Sequence, residues 1–155
     1  MSITFARIDE RLVHGQIMTT WIKQYPADTI LIVDDALAAD DFTSSILAMS
    51  APAGLTIAIQ GVTAAAATLN EAGGEPVFVL FKTPQAALAL TQAGVTLPDL
   101  NVGNLGSRPD RQPLTHRVFA SAAEVAALQA LAAAGTDVYL QMLPSDARQE
   151  LEDVK

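Results

Sequence analysis

Residues Thr29-Ile30-Leu31-Ile32-Val33 form an unbroken apolar run with no alternation of polar and apolar positions. A strand with this pattern must be covered on both faces, which is the mark of a sheet sandwiched between helices. Similar short runs recur at Ile3 to Ile8, Leu55 to Ile59, Pro76 to Phe81 and Asp99 to Gly103, each followed by an alanine-rich or amphipathic segment except the last. The segment from Gly15 to Gln24 reads as a helix, with Ile17, Met18, Trp21 and Ile22 on one face. Asp40 to Met49 reads as a second helix and Val62 to Ala72 as a third. A fourth starts with Thr83 as cap and Pro84 at the first helical position and stops at Gly94. Ser121-Ala-Ala-Glu124 has the spacing of a capping box and opens a helix carrying Val125, Leu128 and Leu131.

The rhythm breaks between residues 104 and 115, where Gly106, Pro109 and Pro113 interrupt a stretch poor in apolar residues. With no crossover helix there, the strand expected near His116 to Phe119 should run antiparallel to its neighbour. Thr136 to Gln141 is the last strand expected, and Pro144-Ser145-Asp146 should start a short polar helix. The sum is an open, mostly parallel α/β sheet of about seven strands in three layers, with helices on both faces.

At 155 residues, with half of them hydrophobic, the chain reads as one domain over 1–155 with a substantial core. Seventeen acidic residues against nine basic ones give a charge of −8, which disfavours nucleic acid and anionic membranes as partners. No cysteine is present, in keeping with a reducing, cytosolic setting. No stretch is long and apolar enough to span a bilayer, and the first nine residues lack the pattern of a signal peptide.

In such a sheet, ligands bind beyond the carboxyl ends of the strands. That edge should carry His14, Asp34-Asp35, Gly61, Lys82-Thr83, Gly103-Asn104 and Pro144-Ser145. His14, one of two histidines, follows the first strand in Arg7-Ile8-Asp9-Glu10-Arg11-Leu12-Val13-His14-Gly15-Gln16. An imidazole titrates near neutrality and is a competent nucleophile there. Arg11 in the same loop has a planar fork suited to phosphoryl oxygens. The amides from Gly15 and Gln16 open a helix and form an anion cradle. Asp9 is placed to orient Arg11 or to hold one ring nitrogen. An anion-binding histidine and a phosphate acceptor both fit this spacing.

Other residues leave alternatives open. Asp34-Asp35 suits a hard cation, a loop pair, or one aspartate lining the His14 pocket. Lys82 is either a second cation for phosphate or a solvated side chain. Arg108 and Arg111 are either solvated or able to reach a partner or the phosphoryl group. Ser145 is a helix cap, a hydroxyl donor to phosphate, or both. His116 reads as structural, and Trp21 and the methionines read as packing. Leu12, Val13 and Leu143 are candidates for an exposed apolar rim around His14.

The segment Arg7 to Gln16 resembles the phosphorylation-site motif of the IIB component of the mannose/fructose/sorbose class of the bacterial sugar phosphotransferase system. Ile32-Val33-Asp34-Asp35, Met49-Ser50-Ala51-Pro52, Leu80 to Pro84, Asn101 to Asn104 and Met142 to Asp146 continue the similarity in order along the chain. The resemblance implies a cytosolic phosphocarrier, peripheral to the inner membrane through its permease, with no bound cofactor and no metal. His14 would accept a phosphoryl group at Nδ1 from a phosphohistidine of a IIA domain and pass it to a sugar held by membrane IIC and IID subunits. Arg11 and Asp9 would act with His14, and Arg7, Gly15, Gln16, Asp34, Lys82 and Ser145 would line the pocket. It also implies strand order 3-2-4-1-5-6-7 with one antiparallel strand. The rival classes are a receiver-like regulatory module and a simple anion or nucleotide binder. The first lacks its acceptor aspartate, since the third strand ends Ile59-Gln60-Gly61, and the second lacks a glycine-rich phosphate loop.

Overall fold

A computed structural model describes residues 2–71 and 73–153, without the side chains of Gln16, Ile17, Met18 and Asp153. The elements run β1 (Ser2–Asp9), α1 (Gly15–Gln24), β2 (Thr29–Val33), α2 (Asp35–Ala38), α3 (Asp41–Met49), β3 (Thr56–Gln60), α4 (Val62–Asn70), β4 (Pro76–Phe81), α5 (Pro84–Gln92), β5 (Asp99–Asn104), β6 (Gln112–Pro113), β7 (Phe119–Ala120), α6 (Ala122–Ala133), β8 (Asp137–Leu140) and β9 (Gln149–Glu150), closing on a 3-10 turn, Leu151–Asp153. Seven strands form one sheet in the order β3-β2-β4-β1-β5-β8-β9. All neighbours are parallel except β8 and β9.

The pleat divides each strand between two apolar layers. Ala6 and Ile8 of β1 turn toward α4, α5 and α6, joining Ala65, Leu69, Ala87, Leu90, Leu128 and Leu131. Phe5 turns the other way, joining Trp21 of α1 and Leu47 of α3. Both faces are therefore covered, as the unbroken run in β2 requires. Helix starts follow their sequence signals. Thr83 accepts from the Ala86 amide at 3.1 Å, and Ser121 and Glu124 complete a reciprocal capping box.

Two expectations about the second half of the chain are corrected. The segment near His116 to Phe119 does not enter the main sheet: Phe119–Ala120 pairs antiparallel with Gln112–Pro113 in a separate ribbon. The place beside β5 goes to β8, which the intervening helix α6 returns in parallel sense, Leu100 opposite Val138. No helix starts at Pro144 either. The Asp146 carboxylate accepts from the Leu143 amide at 2.9 Å and the Asp146 amide donates to the Leu143 carbonyl at 3.0 Å, so the chain reverses in a tight turn. The antiparallel strand is thus β9. Arg148 pins it by pairing with Asp137 and Glu150 and lying 3.9 Å over the Tyr139 ring.

These paths place the chemistry. β1 leads to α1 on one face, whereas β5 leads to α6 on the other. The carboxyl ends of β1 and β5 therefore border a crevice where successive connections diverge, the usual ligand position in an open α/β sheet. His14 lies in the loop on one side of it and residues 105–118 lie on the other.

Candidate functional site around His14

The site is built upward from β1. On its α1 face this strand carries Phe5, Arg7 and Asp9 in alternate positions, the last two almost fully buried. A buried guanidinium is costly unless its donors are met. Here Nη1 donates to the Asn101 side-chain oxygen and, at 3.2 Å, to the Gln141 carbonyl, while Nη2 donates to Asp9 Oδ2 at 3.2 Å. Its carbon lies 5.2 Å from the centre of the Trp21 ring. Burial lowers the pKa of Arg7, and Asp9 offsets part of that shift. Gly103 of β5 lies directly beneath: a methyl group there would collide with the guanidinium, so the residue must be glycine for Arg7 to lie flat.

Asp9 shapes the loop that follows. Its Oδ1 accepts from the Arg11 amide at 3.0 Å, and its carbonyl accepts from the Leu12 amide at 2.9 Å. The turn drives Leu12 into the left-handed region at φ 57°, a conformation branched and bulky residues seldom adopt. Burial of the Leu12 side chain in the α1-side layer holds it there. Leu12 therefore does not contribute to an exposed apolar rim, contrary to expectation, and Val13 and Leu143 are only half-buried. Arg11 is exposed, and among the described residues its guanidinium has no ion-pair partner.

His14 is the N-cap residue of α1, with extended backbone. Its ring is 16% exposed. Nδ1 lies 2.9 Å from the Leu12 carbonyl, which only accepts, so Nδ1 carries the proton in this conformation. Nε2 is buried without a hydrogen-bond partner among the described residues, 4.0 Å from Asp9 Oδ2. The helix amides begin at Gly15, whose φ of 45° is left-handed. The Gln16 side chain lies outside the described residues.

Glu10 ties this loop to the far side of the crevice. It accepts from the Gly106 amide, from Arg108 at 3.0 Å and from Arg111 at 3.0 Å. Burial would raise the pKa of its carboxyl, but these donors outweigh it and hold the group below its ordinary value. Arg111, expected among the solvated loop arginines, is instead buried and grips both oxygens of Glu124, at 2.8 and 2.7 Å. Glu124 responds likewise: burial pushes it up, Arg111 and Ser121 pull it further down. The loop of residues 105–111 is thus clamped between the His14 loop and the start of α6.

The remaining expected residues fall into other roles. Asp34 is buried and caps α2, accepting from the Leu37 amide at 2.9 Å, and Asp35 accepts from the Val62 amide at 2.8 Å. Lys82 is exposed at the end of β4, and Ser145 is exposed in the turn before β9, where no helix begins for it to cap. His116, expected to be structural, is exposed at the rim of a cleft that Gly103, Gln141 and Leu143 also line. Met49 is exposed as well and does not pack. Among the described residues no three His, Asp or Glu side chains gather closely enough to hold a metal ion. Gly103, expected at this edge, belongs to the site, and Asn101, Glu10 and Trp21 complete it without having been singled out as its members. For Asn101 a signal existed: a polar residue between Leu100 and Val102 in a strand covered on both faces needs a partner in the interior.

Known proteins place this arrangement. The family described as the PTS system sorbose subfamily IIB component matches residues 3–154. The fructose-specific EIIB component of Bacillus subtilis is 32% identical, covering 99% of this chain and 96% of that one. The crystal structure of the IIBSor domain of the sorbose permease from Klebsiella pneumoniae superposes with a TM-score of 0.93 at 32% identity, over 99% of this chain and 95% of that one. The mannose-specific EIIAB component of Escherichia coli is 30% identical over 99% of this chain, which spans 48% of that longer protein, so an A partner is joined to the B part there. The chain with the His14 loop and the buried Arg7–Asp9 pair belongs to the sorbose subfamily of IIB components, the phosphotransferases that hand a phosphoryl group to sugar.

Proposed function

We propose that His14 is the residue that carries the phosphoryl group. The domain, residues 1–155, receives it from a phosphohistidine of a IIA domain and delivers it to a sugar held by membrane IIC and IID subunits. It works in the cytoplasm and meets the membrane through that permease; no described helix is itself long and apolar enough to cross one. The observation that carries the reading is the imidazole at the head of α1, with a free exposed guanidinium three residues before it and a buried carboxylate behind it.

In the first step the bond between phosphorus and the donor nitrogen breaks as a bond to His14 forms, and the electron pair returns to the donor imidazole. The bond broken and the bond formed both join phosphorus to an imidazole nitrogen, so both carriers hold the group at similar potential. Arg11 and the amides opening α1 neutralise the spreading charge on the three oxygens, with Lys82 as a second cation at the same edge. Asp9 positions the ring. In the resting geometry the Nδ1 proton is bound to the Leu12 carbonyl. Transfer at Nδ1 therefore requires the ring to leave that carbonyl and carry its proton on Nε2, where Asp9 Oδ2 accepts it after a short approach. Arg7 acts from below, holding the Asp9 carboxylate in place. Asp34 and Ser145 contribute to the shape of the edge, not to the transfer.

The test is labelling with phosphoenolpyruvate, the general phosphotransferase proteins and a IIA domain. The native chain acquires one acid-labile, base-stable phosphate, and His14→Ala acquires none while its circular dichroism is unchanged. Label that survives in the variant refutes the assignment.

A further inference from the structure

Helix α3 is amphipathic in the reverse sense. None of its residues is buried, and the positions that lean inward are Thr43, Ser44 and Leu47. Its outward stripe is Phe42, Ile46 and Met49, which are 77%, 52% and 84% exposed. The spacing i, i+4, i+7 lines them up on one helix face. The helix is held by other means: Asp40 caps it through the Thr43 amide and hydroxyl, the Ser44 hydroxyl donates to the Leu37 carbonyl, and Leu47 reaches the core. The stripe serves no purpose inside this fold.

We infer that the Phe42–Ile46–Met49 stripe is the docking surface for the phosphodonor IIA domain, an inference that rests on the phosphocarrier reading. Position is the first argument. Helices α1 and α3 lie in the same layer, and both start at the carboxyl edge of the sheet. Leu47 and Ala51 share one apolar cluster with Leu12 and Val13, which flank His14. The helix itself packs on β3, three strands from β1 in the sheet, so the body seated on the stripe reaches the imidazole by extending along this layer past α1.

Charge is the second. Between Lys23 and Lys82 the chain holds seven acidic residues and no Lys, Arg or His. Asp35, Asp40 and Asp41 are exposed at the amino end of the stripe. The occupant therefore presents an apolar hollow edged by Lys or Arg. A second copy of this chain would bring like charges together. A permease docked here would press the same acidic surface toward anionic lipid headgroups. Size is the third. The three side chains offer on the order of 400 Å², well under the roughly 800 Å² per partner of a lasting interface. That suits a donor that must leave after each transfer.

The test is the initial rate of transfer from a phosphorylated IIA domain to the full chain carrying Phe42→Ser and Met49→Ser. The donor concentration at half-maximal rate should rise about tenfold or more, as for loss of a central aromatic anchor. The rate at saturating donor and the urea midpoint should stay unchanged. So should sugar phosphorylation in permease vesicles supplied with the phosphorylated variant. An unchanged half-saturating concentration overturns the inference. A defect confined to the permease step also overturns it, assigning the stripe to the permease. A native dimer that the double variant turns monomeric does so too, assigning it to a second copy. If the native chain takes no label at all, the phosphocarrier reading itself fails and this inference falls with it.

Discussion

The two faces of one sheet are built to different rules. Toward α4, α5 and α6 the central strands offer Ala6, Ile8, Leu100, Val102, Val138 and Leu140, all aliphatic and nearly all fully buried. Toward α1 the same three strands offer Phe5, Arg7, Asp9, Asn101, Gly103 and Tyr139. One face is held by area removed from water, a term that tolerates substitution of one aliphatic side chain for another. The other is held by a satisfied polar network packed among aromatic rings, in which every member depends on its partners. Phe5 stacks on Trp21 and Tyr25 with centroids 4.6 and 4.4 Å apart. The Trp21 Nε1 donates to the Met142 carbonyl at 2.9 Å, tying α1 to the segment after β8. The lesson is a division of labour within single strands: even positions stabilise, odd positions arrange the chemistry.

The largest break in this contrast comes from Arg7→Met. It strands the Asp9 carboxylate in the interior and lowers stability by about 3–5 kcal/mol, read from urea unfolding. Adding Asp9→Leu recovers much of the stability and none of the phosphoryl transfer. A stable Arg7→Met protein with native transfer rates would show that the network is dispensable. On the opposite face, Leu100→Ala costs about 3 kcal/mol through transfer and cavity terms, yet the folded fraction takes label at the native rate. Slower labelling would mean that the aliphatic face also sets the geometry of the site.

Gly103→Ala is a sharper probe, because its methyl group meets the guanidinium. It costs about 1–3 kcal/mol by overpacking, and transfer falls further than stability because Arg7 and then Asp9 are displaced. The smallest effect belongs to the clamp. Glu10→Gln costs about 1 kcal/mol at neutral pH, as Glu10 is only partly buried and keeps some of its donors. The native Glu10 and Glu124 carboxyls lie below their ordinary pKa of 4.5. Their contribution is therefore complete above pH 4.5 and lost as pH falls through the depressed folded values. Thermal melts between pH 6 and pH 3 should fall less steeply for Glu10→Gln than for the native chain. Parallel curves would remove Glu10 from the acid response.

Much of this was legible along the chain. The apolar runs, the Thr83-Pro84 cap and the Ser121–Glu124 box locate strands and helices because they act over a few residues. The family blocks then supply the strand order. What misled was local by nature. Pro144-Ser145-Asp146 has the composition of a helix start, but Asp146 closes a turn instead, and the strand that follows is chosen by Arg148 reaching Asp137. Arg111 reads as a solvated loop residue because its two carboxylate partners are 101 and 13 residues away. Met49 reads as packing because its helix has a suitable pattern, which the fold then turns outward.

The sequence by itself determined that the chain forms a sheet buried on both faces, with His14 at the carboxyl edge among cations and helix amides, since those signals rest on periodicity and neighbouring residues. Only the tertiary structure decided that Arg7 is a buried counter-ion under Asp9, and that Nδ1 of the resting imidazole is tied to Leu12. It also decided that α3 shows its apolar side to the outside. Each depends on groups brought together from distant strands, where burial and charge are set by neighbours that no local pattern encodes.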